Sequence, residues 1–442
     1  MARALQSLGL PHEFVTAADL GQRLAPDSGM GGAPAARPAM LLVPGGNARA
    51  KALALGPDGR EAVREYVRTG GHYLGFCGGA GLALVWTDTP KPGSAGGEAT
   101  GLSLCPWERG HFDERMQHFM SGHLQMQPVL AQDQAASGKT AGMARLVPPD
   151  LPDSPLLPVW WPGRFSPKPD SSVATLASYA QPGPDFWLAD LPIASLPGHI
   201  FSTWESLYGF STTPTYLAGQ PCMVHGQHGA GTYTLSYSHL ETPDSADANL
   251  WFVHIIKELT GITSSCSRVP AWEMEKEPPL WPDSPDCPGS PDCQAGAHLA
   301  RMEDSFSAVA ATGLEQGLLF RRNSWLLGWR AGIPGASINS LLALIRVIRR
   351  SPPCAASRAF ILAQGPELEK KAALFASAGQ EYLLAERLAQ TLGKTLPDLI
   401  PPAMLKEQRA ALFGQPMRAG GLYHELMLPL DRLACMQLQP HS

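Results

Sequence analysis

The chain lacks any apolar run of the roughly 18 residues that a membrane span needs, and its first residues, MARALQSLGLPHEF, lack the apolar core of a secretion signal. These two absences lead to the expectation of a cytoplasmic protein without a membrane partner. Charge is scarce as well. Asp, Glu, Lys and Arg make up 17% of the 442 residues, below the usual quarter or so. The acidic residues outnumber the basic ones, 39 to 34, for a net charge of -5. No basic stripe of the kind that binds nucleic acid is present. Cysteine is sparse: eight residues spread over the whole length, with no CxxC pair. A disulfide scaffold is thereby excluded. The closest pair, Cys287 and Cys293, brackets a Pro/Gly/Ser/Asp stretch. Two unlinked loop thiols are its simplest reading, with a disulfide or half a metal site as the alternatives. No second Cys/His pair of zinc-like spacing accompanies it, so no metal is expected. No cofactor is expected either.

What the chain has in quantity is Gly (45) and Pro (42), the residues of turns and loops. Its length suits two or three domains. Residues 1–263 read as short strands alternating with helices, the pattern of a mainly parallel sheet covered on both faces. Expected elements are a helix ending at Gly9, a strand at His12–Val15, a strand at Met40–Val43, a helix over Glu61–Arg68 and a strand at His72–Phe76. Further on, strands at Val173–Tyr179, Cys222–Val224 and Thr232–Tyr237 precede an amphipathic helix over Asn249–Leu259. A sheet of this kind normally opens with a strand before its first helix. Either His12–Val15 is that strand or one lies upstream of this sequence, and the second is favoured. Residues 264–297, rich in Pro, Ser and Asp, read as a linker without helix or central strand. Residues 298–442 read as all-helical, with helices at Ser340–Arg350, Glu367–Ser377 and Gln380–Leu392.

The strongest local signal is Gly75-Phe76-Cys77-Gly78-Gly79-Ala80, an apolar strand running into a helix through G-x-C-x-G. A nucleophile on such a turn sits in a strained conformation with its side chain exposed, and small neighbours permit the turn. The helix that follows lowers the thiol pKa, and the N–H of Gly78 can donate to an oxyanion. Pro44-Gly45-Gly46 follows the preceding apolar strand and could supply the second donor. Late in the domain, Tyr237-Ser238-His239-Leu240-Glu241 ends a strand. Residues two apart on a strand point the same way, so Glu241 could orient an imidazole that faces Cys77, the order of nucleophile, base and orienter.

Pro-Gly-Gly, then the cysteine elbow, then His-x-Glu resembles the class I glutamine amidotransferase-like superfamily. Within it, LLVPGGNARAKAL, VRTGGHYLGFCGGAGLAL and GAGTYTLSYSHLETPD are most similar to the family named for the N-terminal domain of biotin-protein ligases. The resemblance covers about residues 1–260 and implies a flavodoxin-like sheet. It implies Cys77 as nucleophile, His239 and Glu241 as its partners, and Gly45, Gly46 and Gly78 as the oxyanion and substrate-binding loop. Two departures stand out. Gly81 occupies the position where amidotransferases usually carry Gln, and no Gly-Arg-Gly loop for biotinyl-adenylate is present. The expected activity is therefore cysteine chemistry on a small amide or related carbonyl compound, and biotin ligation is not expected. The alternatives are a catalytically silent binding module whose residues 298–442 engage a protein partner, and a redox cysteine.

Other polar residues receive plainer readings. Glu108–His118 reads as a solvated helix carrying His111 and His118, with His123 just after it, and could overhang the site as a lid. His225 and His228 are placed in or beside a hairpin turn. Arg321-Arg322 and Arg349-Arg350 are read as solvated helix ends.

Overall fold

The computed structural model describes residues 1–25, 37–86, 100–111, 119–129, 144–169, 172–209, 214–282, 290–415 and 420–439. These divide into one unit of Met1–Pro11 with Val15–Pro270 and another of His12–Phe14 with Ala271–Ser442.

The first unit starts with two short helices, α1 (Ala2–Ser7) and α2 (Leu20–Leu24), ahead of strand β1 (Met40–Val43). Gly9 closes α1 with φ 65°, the left-handed geometry that suits glycine. His12–Val15 is irregular chain, so the strand expected there is absent. Next come α3 (Ala48–Arg68), β2 (His72–Phe76) and α4 (Gly78–Leu82). α3 bends at Gly56-Pro57, where Gly56 leaves helical geometry. A proline at 57 cannot donate back to the preceding turn. The middle of the unit holds β3 (Glu108–Gly110), β4 (Met120–Pro128), β5 (Leu156–Trp160), β6 (Arg164–Ser166), β7 (Ala174–Pro182), β8 (Trp187–Leu188) and β9 (Leu191–Pro192). Then follow α5 (His199–Tyr208), the hairpin β10 (Pro221–His228) and β11 (Gly231–Ser236), and α6 (Ala246–Thr260).

Nine strands form one sheet in the order β1-β2-β11-β10-β7-β4-β8-β9, with β5 also paired to β4. β1, β2 and β11 run parallel, and every other pairing in the sheet is antiparallel. The sheet expected to be mainly parallel is therefore a mixed one. The cause is local. β10 and β11 are joined by the tight turn at Gly229-Ala230, which can only produce an antiparallel pair, whereas β1 and β2 are linked across α3 as parallel strands must be. The helix expected over Glu108–His118 is also corrected. Glu108–Gly110 is strand β3, paired with β6, and residues 112–118, including His118, lie outside the described residues. α6 packs its apolar side inward, with Trp251, Phe252 and Ile255 fully buried. The Phe252 ring meets that of Phe76, just before the elbow, at 5.7 Å between centroids. Each such side chain contributes about 1.5–3 kcal/mol by leaving water.

The second unit is built from α7 (Pro291–Glu315), the strand pair β12 (Leu319–Arg321) and β13 (Leu327–Trp329), α8 (Gly335–Arg349), α9 (Ala355–Leu392), α10 (Pro402–Phe413) and α11 (Gly421–Leu438). Three expectations change here. The region is not all-helical, because β12 and β13 pair across a turn in which Asn323 Oδ1 accepts the N–H groups of Trp325 and Leu326. The expected linker contributes the start of α7, since Pro291 stands at the first helical position, where a missing N–H costs nothing. The two helices expected at 367–392 are one, α9, running through Gly379, whose bare Cα lies against Val309 of α7. Arg349 and Arg350 are not solvated either. Their side chains are 11% and 8% exposed and bind the buried Glu303 carboxylate. Cys293 is disulfide-bonded, a correction to the reading of two unlinked thiols; Cys287 lies outside the described residues. No helix among the described residues is long and apolar enough to cross a membrane.

Candidate functional site

β2 and β11 are parallel neighbours, with Phe76 beside Ser236, so the chains leaving both strands emerge at the same edge of the sheet. The residue after Phe76 is Cys77, and its N–H donates to Ser236 O at 2.7 Å. Cys77 adopts φ 47°, ψ -108°, a conformation that L-residues with side chains rarely take. The glycines around it let this turn form. A Cβ on Gly78 would lie 1.7 Å from Gly46 O, and one on Gly79 would lie 2.1 Å from Val43 O. The Pro44-Gly45-Gly46 loop and the elbow are thus pressed backbone to backbone, which no side chain at these glycines would allow. Tyr73, buried on β2, fastens the arrangement by donating its hydroxyl to Gly79 O at 2.7 Å.

The same contact brings two amides to the sulfur. The backbone amides of Gly46 and Gly78 both lie near enough to the Cys77 sulfur to lower its pKa. Gly45 fits against the ring of His239, where a Cβ would come within 2.8 Å of imidazole Cε1 and 3.3 Å of Cys77 Cβ. α4 is only five residues long, so these two amides, more than a helix dipole, are the local donors.

His239 and Glu241 reach the site by a route different from the expected one. β11 ends at Ser236, and residues 239–242 form a turn in which the N–H of Thr242 donates to His239 O at 3.2 Å. The pair therefore sits on a turn, not on an extended strand, because Asn249 of α6 pulls the chain round. Its side-chain amide donates to Leu240 O and Thr242 O, both at 2.9 Å. Within the turn, His239 Nδ1 lies 3.0 Å from Glu241 Oε1. The other ring nitrogen, Nε2, is buried and has no hydrogen-bond partner, and the imidazole lies close enough to Cys77 for each to shift the other's pKa. The His239 and Glu241 side chains are 19% and 12% exposed, and Cys77 is half-buried.

Electrostatics favour charge separation. Burial alone would raise the Cys77 pKa, yet His239 and the amides of Gly46 and Gly78 outweigh it and bring the thiol below its ordinary range. Burial would lower the His239 pKa, but the Glu241 carboxylate and the Cys77 thiolate raise it. Burial raises and His239 lowers the pKa of Glu241, with a net fall. All three shifts run in the direction of a thiolate beside an imidazolium, with the Glu241 carboxylate against the ring. Tyr179 and Tyr237 are buried within electrostatic reach of the sulfur and stay un-ionised.

Two features of this region escaped the sequence reading. Lys51, in the first turn of α3, brings its ammonium back over Gly46, within 3.7 Å of where a Cβ would sit. The clue in the sequence was its place five residues after Gly46, on the helix that leaves the loop. The second is a hydrogen-bonded chain around His123, which stands on β4. Its Nδ1 is 3.0 Å from both carboxylate oxygens of Asp185, and its Nε2 is 2.8 Å from Ser245 Oγ. The atom order is that of a serine nucleophile set, but Ser245 is 3% exposed. The chain acts as a tie between β4 and the start of α6, just beyond the His239–Glu241 turn. His225 lies in β10, not in the turn, and its Nδ1 is 2.8 Å from Thr234 Oγ1. Among the described residues no group of three or more His, Cys, Asp or Glu is placed to hold a metal ion.

A family model described as biotin-protein ligase, N terminal, matches residues 34–84. This stretch carries β1, the Pro-Gly-Gly loop, α3, β2 and the cysteine elbow, and stops well before His239 and Glu241. No curated protein matches the chain. Among solved structures, a cytoplasmic protein from Salmonella typhimurium is similar at a TM-score of 0.30 and 11% identity, over 59% of this chain and 86% of that one.

Proposed function

We propose that the first unit is a cysteine-dependent acyl-transfer domain of the class I glutamine amidotransferase-like type, acting on a small amide or related carbonyl compound. The observation that carries this reading is Cys77 in a positive-φ elbow, with two backbone amides at its sulfur and His239 held by Glu241 beside it. In the reaction the Cys77 thiolate attacks the carbonyl carbon, forming a C–S bond, and the carbonyl π pair moves onto oxygen. The N–H groups of Gly46 and Gly78, which lie near the sulfur, stabilise that oxyanion. As the intermediate collapses, the C–N bond breaks and the His239 imidazolium gives its proton to the leaving amine. A water that loses its proton to the now neutral His239 then attacks the thioester carbonyl, and the C–S bond breaks. The acid is released and the thiolate–imidazolium pair is restored. Gly81, in place of the amidotransferase glutamine, argues for a substrate other than glutamine.

The test needs no substrate. Iodoacetamide alkylation of the free thiols Cys77, Cys105, Cys222, Cys266, Cys354 and Cys435 is followed by mass spectrometry over roughly pH 5–9, below and above the pKa of a free thiol. Cys77 is expected to react well below that pKa, and to lose this advantage in His239→Ala. A Cys77 that behaves like Cys266, which is exposed, would refute the reading and leave a binding module of the same architecture.

A further inference from the structure

The position of Lys51 is electrostatically unfavourable on its own. It lies in the first turn of α3, whose first turn holds no acidic residue, and a helix N-terminus repels cations. Side chains on a helix lean toward its N-terminus, so the long Lys51 chain folds back over Gly46. There its ammonium is part-buried, and a methyl on Gly46 would stand only 3.7 Å from Nζ. No carboxylate among the described residues pairs with it. The one negative group that acts on it is the Cys77 thiolate, while burial, the larger effect, lowers its pKa. A cation set against a helix dipole, partly stripped of water and without a carboxylate partner breaks the usual pairing of local charges, and such breaks gather at functional sites.

Gly46 joins the two groups. Its amide serves the sulfur and its α-carbon faces the ammonium. A substrate whose carbonyl oxygen takes the Gly46 and Gly78 donors therefore has Lys51 beside the substituent that leaves the reacting carbon on the Gly46 side. Gly46 and Asn47 are exposed, so this side is open to a ligand. We infer that Lys51 is a specificity-determining residue that selects small acyl compounds bearing a carboxylate close to the carbonyl attacked by Cys77. The inference rests on the acyl-transfer reading of Cys77, His239 and Glu241 and names its substrate class. A substrate carboxylate there would give Lys51 the carboxylate partner it lacks among the described residues.

Two alkylating reagents of nearly the same size test this, iodoacetamide (neutral) and iodoacetate (anionic), with rates at Cys77 read by mass spectrometry on the full chain. His239 as imidazolium attracts iodoacetate in any variant that keeps it, so the measured quantity is the iodoacetate-to-iodoacetamide rate ratio in the native chain against Lys51→Met and Lys51→Arg. The ratio is expected to fall about tenfold in Lys51→Met, as for the loss of one partly screened charge several ångströms from the reagent, and to be largely kept in Lys51→Arg. Added salt should compress the difference. If Lys51→Met slows both reagents equally, Lys51 only tunes the thiolate and the inference fails while the acyl-transfer reading stands. If Cys77 resists both reagents in the native chain, both proposals fall together.

Discussion

The elbow makes a quantitative claim about stability that can be tested without knowing the reaction. Cys77 is held at φ 47°, ψ -108°, and a non-glycine residue in such a region costs about 1–3 kcal/mol. The chain has no room to escape this cost nearby, because Gly78 and Gly79 are pressed against Gly46 O and Val43 O. Replacing Cys77 with Gly should release the strain. Glycine gives back about 0.5–1 kcal/mol through its greater freedom in the unfolded chain. The net gain over Cys77→Ala, which removes the same sulfur but keeps a Cβ, is therefore about 1 kcal/mol. For a folding unit of this size that is a rise of roughly 2–4 °C in Tm. The assay is calorimetric melting of the two variants side by side in one buffer, with denaturant midpoints as a second measure. Using Ala as the reference cancels the loss of the Cys77 sulfur beside His239. Should the Gly variant melt at or below the Ala variant, the elbow stores no strain and the backbone argument for a nucleophile at this position is wrong.

Two predictions concern pH. Burial, with the charges of His72 and Arg145, lowers the pKa of His225 to about 4. The unfolded chain takes up a proton near the ordinary value of about 6.5, and the folded chain resists it until about 4, so stability is lost as pH falls through this window, by up to about 3 kcal/mol. His225→Gln should flatten melting temperature against pH in that window, and an unchanged slope would place the acid sensitivity elsewhere. In the second unit, burial raises the Glu303 pKa, but Arg349 and Arg350 more than offset it and hold it below the ordinary carboxylate range. Its contribution is present above that range and is lost as pH falls through the depressed value. Glu303→Gln should cost about 3 kcal/mol near neutral pH, since it leaves Arg349 buried without its counter-charge. Urea unfolding followed through the second unit's tryptophans measures this, and a loss below about 1 kcal/mol, the scale of an exposed pair, would show that the cluster is solvated.

Features set by neighbouring residues could be read directly from the sequence. Met40–Val43 and His72–Phe76 are strands with the expected ends, since an apolar run closed by Pro-Gly-Gly or G-x-C-x-G has few other conformations. The hairpin turn after β10 and the helix over Asn249–Leu259 follow from glycine placement and amphipathic spacing in the same way. Where the reading failed, local pattern competed with distant partners. Glu108–Gly110 has a helix-like mixture of charges, yet β6 offers it a strand to pair with. The local pattern ends one helix at Ser377 and restarts another at Gln380, yet α9 runs through, with Gly379 facing Val309 of α7.

At the candidate site, neighbouring residues specify the chemistry on offer: a thiol on a glycine-flanked turn, a Pro-Gly-Gly loop and a His-x-Glu pair, because bond geometry and steric freedom are local properties. That these groups meet is a property of the assembled sheet. Cys77 and His239 are joined through the parallel pairing of β2 with β11, a contact between distant segments that no local pattern encodes. The turn that brings Glu241 onto the imidazole is held by Asn249 from a helix, and the Lys51 ammonium feels the charge of Cys77 because its side chain lies over Gly46. Side chains take their charge states from what surrounds them in space, and that surrounding exists only once the sheet has been assembled.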